Sequence, residues 1–126
     1  MASLESALFS ALTASAGGLY ALVAARVYPE VMPQGASLPC LVYTRISTPR
    51  FQVLGATQAV VVSRPRFQFT CWALTASSAI DVIAALRTQL LATSYAVTLE
   101  SESVMRDPES NLHRRDLDAF IAHAGQ

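Results

Sequence analysis

The spacing of hydrophobic residues along this chain is first typical of helices and then of strands, and this order occurs a second time in the second half of the chain. Residues 3–16 place apolar side chains every three or four positions, which predicts an amphipathic helix ended by Gly17 and Gly18. Residues 19–25 predict a shorter second helix. The prolines between 29 and 39 then predict irregular chain. The apolar stripe of the first helix consists of Leu4, Leu8, Ala11 and Leu12.

β-branched and aromatic residues predict two long strands, over 40–48 and 58–72. Residues 49–57 between them predict a long hairpin loop with Gly55 near its tip. Pro65 has no N–H group to donate to a β-ladder, so we expect an edge position or a bulge there.

The second half of the chain predicts a helix over roughly 76–92, opened by Thr75 and Ser78. Alternating strands over 95–105 and 112–123 follow, joined by a turn at 107–111. The helix is predicted to pack on the sheet through Ala79, Ile80, Ile83, Leu86, Leu90 and Leu91. The last strand is predicted to turn Leu117, Ala119 and Ile121 inward, with Arg114, Asp116 and Asp118 outward.

Together these elements predict one α+β domain over residues 1–126, in the order α-β-β-α-β-β. We expect a mainly antiparallel sheet of four to five strands with two main helices packed on it.

The composition indicates a surface that is partly covered by other subunits. Hydrophobic residues make up 52% of the chain and charged residues 14%, with nine basic and nine acidic residues. So little charge does not coat the surface of a small domain, although an alanine-rich monomer is the alternative. The arginines are scattered, which argues against specific nucleic-acid binding. Glu5 interrupts the first apolar run, and no apolar stretch is long enough for a membrane span, so we expect neither a signal peptide nor a membrane anchor.

Several segments, taken in order, resemble one viral family. These are LESALFSAL at 4–12, RVYP at 26–29, PQGASLPCLVYTRIS at 33–47 and FQFTCWALT at 67–75, with a final strand after a proline-containing turn. The chain resembles the phage tail completion (tail terminator) proteins of long-tailed bacteriophages and gene transfer agents. The end of the chain, AFIAHAG, is less aromatic than the family pattern.

The resemblance implies a structural virion protein without enzymatic activity or cofactor. It implies a ring, typically of six subunits, at the head-proximal end of the tail tube, which ends tube polymerisation and joins the tail to the neck. The implied partners are further copies of this chain, the major tail tube protein and the neck or stopper protein. Genome DNA would pass through the lumen without specific binding. The protein would assemble in the host cytoplasm and end in the virion.

Two other functions are open alternatives. One is a different head–tail joining protein, such as a stopper, or a minor tail protein. The other is a small ligand-binding or enzymatic α+β domain, which would need a concave pocket with convergent polar groups.

The sequence contains no recognisable catalytic or metal-binding motif: no P-loop, GxSxG, GxGxxG or CxxC. His113 and His123 lack the spacing that gathers three ligands, so we expect them to face solvent or a partner. Cys40 and Cys71 lie among strand formers and predict buried free thiols. We therefore expect no catalytic, cofactor or metal site.

Four carboxylates, Glu100, Glu102, Asp116 and Asp118, alternate on the last two predicted strands. If these strands pair, all four can lie on one surface. That surface is either a solvated sheet face shared with arginines or an acidic wall of the ring lumen that repels DNA phosphates. A paired-carboxylate hydrolase is a third interpretation, without apolar neighbours to support it.

The 49–57 loop is the candidate for docking to a neighbouring ring. Arg50, Phe51, Val53 and Leu54 include apolar residues where a loop is usually polar, although they can also fold back on their own core.

Charged residues on the first two strands are candidates for contacts between subunits. Arg64 and Arg66 share a face, and Arg45 can lie across from them. Asp81, Asp116 or Asp118 of a neighbouring subunit are possible partners, and ordinary surface arginines are the alternative.

Overall fold

A computed structural model describes residues 4–14, 18–35, 37–48, 50–54, 59–93, 96–106 and 112–124. The helices in these ranges are α1 (Leu4–Leu12), α2 (Gly18–Val23) and α3 (Ala76–Leu91). The strands are β1 (Val27–Pro29), β2 (Cys40–Ser47), β3 (Arg50–Leu54), β4 (Ala59–Ser63), β5 (Arg66–Ala73), β6 (Ala96–Arg106) and β7 (His113–Ala124).

Five strands form the main sheet in the order β1-β2-β5-β7-β6. Every pairing is antiparallel except that of β1 with β2, which is parallel. The α+β class and the mainly antiparallel sheet are therefore confirmed in outline. The predicted element order is incomplete. It lacks β1, and it has two strands where the structure has four, β2 to β5.

The hairpin of β3 and β4 extends the sheet beyond its main part. β4 pairs with β7 only through Val62 with Ala124 and Ser63 with His123, while β3 and β4 pair with each other over five residues each. Residues 50–54 are thus a strand and not the loop that we predicted, because they find ladder partners in the β-branched segment 59–63. The predicted loop tip at 55–58 lies outside the described residues.

The break between β4 and β5 lies at Pro65. Proline offers no N–H to the ladder, but its carbonyl oxygen accepts a hydrogen bond from the Ile121 N–H at 3.0 Å. The predicted edge position is wrong, because β5 lies between β2 and β7. The register irregularity lies in the facing strand, between Arg45 and Ser47.

The short strand β1 forms where the prolines predicted irregular chain. Its flanking backbone is paired with β2: the Leu41 N–H donates to the Arg26 carbonyl at 3.0 Å and the Glu30 N–H to the Tyr43 carbonyl at 2.9 Å. Pro29 ends β1 at the sheet edge, where a missing N–H is tolerated.

The hydrophobic core lies between one face of the sheet and the three helices. Phe67, Phe69 and Leu117 on the strands meet Leu8 and Leu86 on the helices. The prediction that Leu117, Ala119 and Ile121 point inward is confirmed, since all three are at most 1% exposed.

Helix α3 begins where the sequence predicted it. The Thr75 hydroxyl oxygen accepts a hydrogen bond from the Ser78 N–H at 3.1 Å, as an N-cap does. Its buried stripe is narrower than predicted and centres on Val82: Ile80 and Leu91 are 48% and 60% exposed. These two residues flank the buried stripe on the helix surface.

Candidate functional site

The sheet face that carries no described helix collects polar residues of the central strands. By register, Thr70 of β5 lies beside Asp116 of β7, and Gln68 lies beside Asp118. We call this surface the helix-free face. It is made of Val42, Thr44, Arg66, Gln68, Thr70, Trp72, Arg114, Asp116, Asp118 and Phe120.

Two aspartates of the helix-free face form ion pairs with arginines. Arg66 Nη2 donates to Asp118 Oδ2 at 2.5 Å, and Arg114 Nε donates to Asp116 Oδ1 at 3.0 Å. Asp116 and Asp118 are only 7% and 9% exposed, and carboxylates so placed need a counter-charge. They point away from the core as predicted, but they are buried and not solvated.

The Arg66–Asp118 pair is bonded through one atom on each side. Asp118 Oδ1 and Arg66 Nε are buried without a hydrogen-bond partner among the described residues. The pair is therefore held by charge and by a single strong contact, without the bidentate geometry that arginine can form.

An open groove of about 380 Å³ crosses the helix-free face. Residues 30–32 form one wall, and the sheet forms the floor with Val42, Thr44, Gln68, Thr70, Trp72 and Arg114. The Arg114 guanidinium carbon lies 5.6 Å from the centre of the Trp72 ring, so this arginine also makes a cation–π contact. The lining offers hydroxyl, amide and guanidinium groups for hydrogen bonds, but its residues include no nucleophile paired with a base.

Within the described ranges, no group of three or more His, Cys, Asp or Glu side chains is placed so that it could hold a metal ion. His113 pairs by register with Ala73 and Arg106, and His123 with Ser63. Their predicted exposure to solvent or to a partner stays a prediction.

The four predicted carboxylates do not share one surface. β6 and β7 pair as expected, but the register shifts between Leu99 and Ser101, which leaves Glu100 as an extra residue. After this bulge Glu102 lies opposite Leu117 and binds Arg87 of α3, on the helix side of the sheet. Asp116 and Asp118 lie on the other face. The strict alternation that we assumed for β6 was wrong at one residue.

The predicted inter-subunit arginines have partners within the chain. Arg45 Nη2 donates to Glu5 Oε1 of α1 at 2.6 Å, so Arg45 lies on the helix side and not across from Arg66. Arg64 stacks over the Phe120 ring at 4.2 Å, so Arg64 and Arg66 do share a face. Asp81 is exposed on α3. Contacts of these residues with a second subunit stay a prediction.

The predicted docking residues Arg50, Phe51, Val53 and Leu54 all lie in β3. The structure brings them together on one strand of the hairpin, with a ladder partner in β4 for each. Their role in docking stays a prediction.

Both cysteines are free and buried, as predicted. They occupy neighbouring strands, with Leu41 and not Cys40 opposite Cys71. Burial raises the pKa of the Cys71 thiol to about 12, helped by the nearby Cys40. Burial also raises the pKa of the Cys40 thiol, although Arg26 opposes this shift. Neither thiol is prepared to act as a nucleophile at neutral pH.

Large apolar side chains are exposed at several places. Val104 and Met105 on β6 are 66% and 55% exposed, and Leu74 beyond the end of β5 is 68% exposed. Exposed apolar side chains of this size are candidates for burial against other subunits in an assembly. No helix in the described part of the chain is long and apolar enough to cross a membrane.

The family comparison decides what kind of protein this is. The model of the family described as "Tail completion protein gp17" matches residues 6–123. The chain belongs to the tail completion protein gp17 family. The match begins in α1 and ends in β7, so it spans the whole fold. It confirms the family predicted from the sequence and makes this a structural tail protein.

A solved structure supports the fold of this tail completion protein. One chain of a structure described as the virion of a native gene transfer agent (GTA) particle aligns with a TM-score of 0.58 and 19% identity. The alignment covers 97% of this chain and 95% of that chain. No curated protein sequence matches the chain significantly.

Sequence reasoning missed two polar residues that hold the tail completion fold together. Arg26 donates to the carbonyl oxygens of Pro39, at 2.9 Å, and Leu22, at 3.1 Å, and so ties α2 to the start of β2. Gln89 of α3 donates to the Ala11 carbonyl at 2.6 Å and accepts from the Leu19 N–H at 3.4 Å, bridging α1 and α2. The sequence offered one indication of the role of Gln89: it is a polar residue directly beside the apolar stripe of α3.

Proposed function

We propose that this tail completion protein forms a hexameric ring at the head-proximal end of the tail tube, within the virion. The ring ends polymerisation of the major tail tube protein and joins the tail to the neck or stopper protein. The observation that carries the proposal is the family match over residues 6–123. A fold shared over almost the full length with a chain of a gene transfer agent particle supports it.

The role is structural and not catalytic. The lining of the groove lacks a nucleophile–base pair, and the buried Cys71 thiol has a pKa of about 12. Large apolar residues such as Val104 and Leu74 are exposed, and this favours assembly of the protein with other subunits. Contact with other subunits in the ring, and with the tube and neck, removes such residues from water.

The helix-free face lines the channel of the proposed ring. The charges on this face and along its borders balance: Arg66 and Arg114 pair with Asp118 and Asp116 on the face itself. At its borders, Arg64 over the Phe120 ring is offset by Glu30 in the groove wall. A lumen wall without net charge neither holds nor strongly repels the phosphates of passing DNA. This proposal replaces the acidic wall, because two of its four carboxylates are neutralised by arginines and Glu102 lies on the other face.

Electron micrographs of particles made without this protein test the proposal. Abnormally long tails that are not joined to heads support a terminator, and added purified protein should restore normal particles. Tails of normal length that stay unjoined would instead support a head–tail joining protein of another kind. Normal particles would overturn both functions.

The mass of the complex formed with the tail tube tests the ring itself. We expect six copies per tube end by native mass measurement of the dissociated cap. A single copy at the tube end would contradict the ring.

A further inference from the structure

One long edge of the main sheet has no neighbouring strand in the described part of the chain. β6 spans Ala96–Arg106 and pairs only with β7 among the described strands. Residues 100–106 are all exposed. An edge of this length presents a row of backbone N–H and C=O groups to which another strand can pair.

The exposed apolar residues on this edge indicate what kind of element covers it. Val104 and Met105 are consecutive, so they point to opposite faces of the sheet. They are 66% and 55% exposed. A helix or loop resting on one face would cover only one of them. A strand added in the plane of the sheet places side chains beside both.

β3 is the matching edge on a second copy of the chain. The other described strands at an edge are β1, with three residues, and β3, with five. β3 carries a single charged residue, Arg50, so pairing it desolvates little charge.

Strand directions fit this pairing in a ring. Within one chain β6 and β4 both run antiparallel to β7, and β3 runs antiparallel to β4, so β3 and β6 run in opposite directions. Rotation about a ring axis keeps these directions. The β3 strand of one copy therefore meets the β6 strand of the next as an antiparallel neighbour, which is the more stable ladder.

We propose that β6 of each subunit pairs edge to edge with β3 of the next subunit. This inference rests on the proposed ring and names the surfaces that close it. The sheet of one subunit then continues through β3, β4, β7 and β6 into the next, and the five residues of β3 pair with part of the eleven-residue β6 edge. β3 adjoins the 123–124 end of β7, whereas Val104 and Met105 lie by residues 114 and 115. The strands therefore tilt relative to the ring axis, as in any closed barrel.

Cysteine cross-linking between copies tests the pairing. One preparation carries a cysteine in β3 (Phe51→Cys, Gln52→Cys or Val53→Cys), and a second of different mass carries one in β6 (Ser101→Cys, Ser103→Cys or Val104→Cys). The two are mixed, assembled with tail tubes and oxidised mildly. We expect β3–β6 cross-links for at least one combination and none between identical copies. Wild-type protein and Ser77→Cys, at an exposed position of α3, are matched controls that should not cross-link to β3.

The other outcomes identify other occupants. Cross-links between two β6 variants would mean a two-fold contact, and cross-links of β3 to the tube protein would mean docking to the neighbouring ring. Either result overturns the pairing. If wild-type rings form without any β3–β6 cross-link, the edge inference fails while the proposed function stands. If wild-type protein forms no ring on tubes, the proposed function fails first.

A backbone variant checks that the edge itself is needed. Adjacent residues of β6 alternate in directing their N–H groups toward β7 or outward, so one of Ser103→Pro and Val104→Pro leaves the β7 ladder intact. That variant should keep the unfolding midpoint of the wild type and lose the ring. A folded proline variant that still forms rings would overturn the pairing.

Discussion

At the scale of single residues, the helix-free face is stabilised by buried charge pairs. Asp118 is nearly buried and its one described partner is Arg66, at 2.5 Å. A carboxylate in this position stabilises the fold only while its arginine remains beside it. This makes the aspartate more sensitive to substitution than an exposed acidic residue.

Asp118→Asn should lower the free energy of unfolding by about 1–2 kcal/mol, because Arg66 keeps its charge and loses its partner. The loss is moderate because the Arg66 side chain is 39% exposed and water can solvate it in part. Urea unfolding monitored by circular dichroism measures the change. The matched control is Asp81→Asn on the exposed side of α3, which should change stability by less than about 0.5 kcal/mol. Equal effects of the two variants would contradict the role of the pair.

Cys71 should make the protein less stable at alkaline pH. Its folded pKa is about 12, above the ordinary value of 9.0, because burial disfavours the thiolate. The folded state therefore keeps the proton at a pH where the unfolded state releases it. This contribution to stability is complete below about pH 9 and is lost as the pH rises toward 12, at up to about 1.4 kcal/mol per pH unit.

Denaturant unfolding near pH 8 and near pH 10.5 measures this loss, and Cys71→Ala should reduce it. The variant should not abolish it, since burial, with a smaller effect of Glu5, also raises the pKa of Tyr43. An unchanged pH dependence in Cys71→Ala would show that the thiol does not contribute.

At the scale of elements, the ends of the helices are set by local hydrogen bonds. Ala24 follows α2 in the left-handed region, with φ of 52°, and its N–H donates to the Tyr20 carbonyl at 2.8 Å. Glycine usually occupies this position because a Cβ is unfavourable there.

Ala24→Gly should stabilise the protein by about 0.5–1 kcal/mol, because it removes the strain of the left-handed alanine. Thermal unfolding measures the shift. Ala21→Gly, at an exposed position inside α2, is the matched control and should have the opposite sign, with a loss of up to about 1 kcal/mol. A lower melting temperature for Ala24→Gly would refute the strain.

The sequence predicted the elements best where periodicity and caps agree. The 3.6-residue spacing and Thr75 located α3, and alternation located β2 and the inward residues of β7. It failed where tertiary pairing decides the outcome. β1 exists because its backbone bonds to β2, and β3 exists because residues 59–63 pair with it. No local pattern around Pro29 or Phe51 carries that information.

The candidate site could be predicted only in part for the same reason. Alternation correctly placed Asp116 and Asp118 away from the core. Their burial and their pairing with Arg114 and Arg66 depend on which strand neighbours which, and this follows from the sheet order β2-β5-β7. Spacing along one strand does not specify its neighbours.

At the scale of the whole molecule, we expect the balance of charge on the helix-free face to decide whether this surface binds DNA. The double variant Asp116→Asn with Asp118→Asn removes two negative charges and leaves Arg66 and Arg114 unpaired. We expect this variant to retain duplex DNA, with an affinity that falls steeply as salt is added. Wild type should not retain it.

Fluorescence anisotropy of a labelled duplex at low and at physiological salt measures this retention. Asp81→Asn is again the control, since it changes net charge away from the helix-free face. The single variant Asp116→Asn is compared with it, because each removes one negative charge. If Asp81→Asn retains DNA as well as Asp116→Asn does, the retention depends on the total charge of the protein and not on this face.

The extra residue in β6 has a consequence for comparing this chain with its relatives. Because Glu100 shifts the register, Ser101 and Ser103 lie beside Asp118 and Asp116, while Glu102 reaches Arg87. In a regular ladder without the bulge, Glu100 would lie opposite Asp118 and Glu102 opposite Asp116, and four like charges would repel one another. Removal of the extra residue alone would keep Ser101 opposite Asp118 and Glu102 opposite Leu117, so a relative that is shorter by one residue here should keep the register that follows. A relative of the same length whose β6 pairs without a bulge should instead have lost acidic residues from one of the two strands.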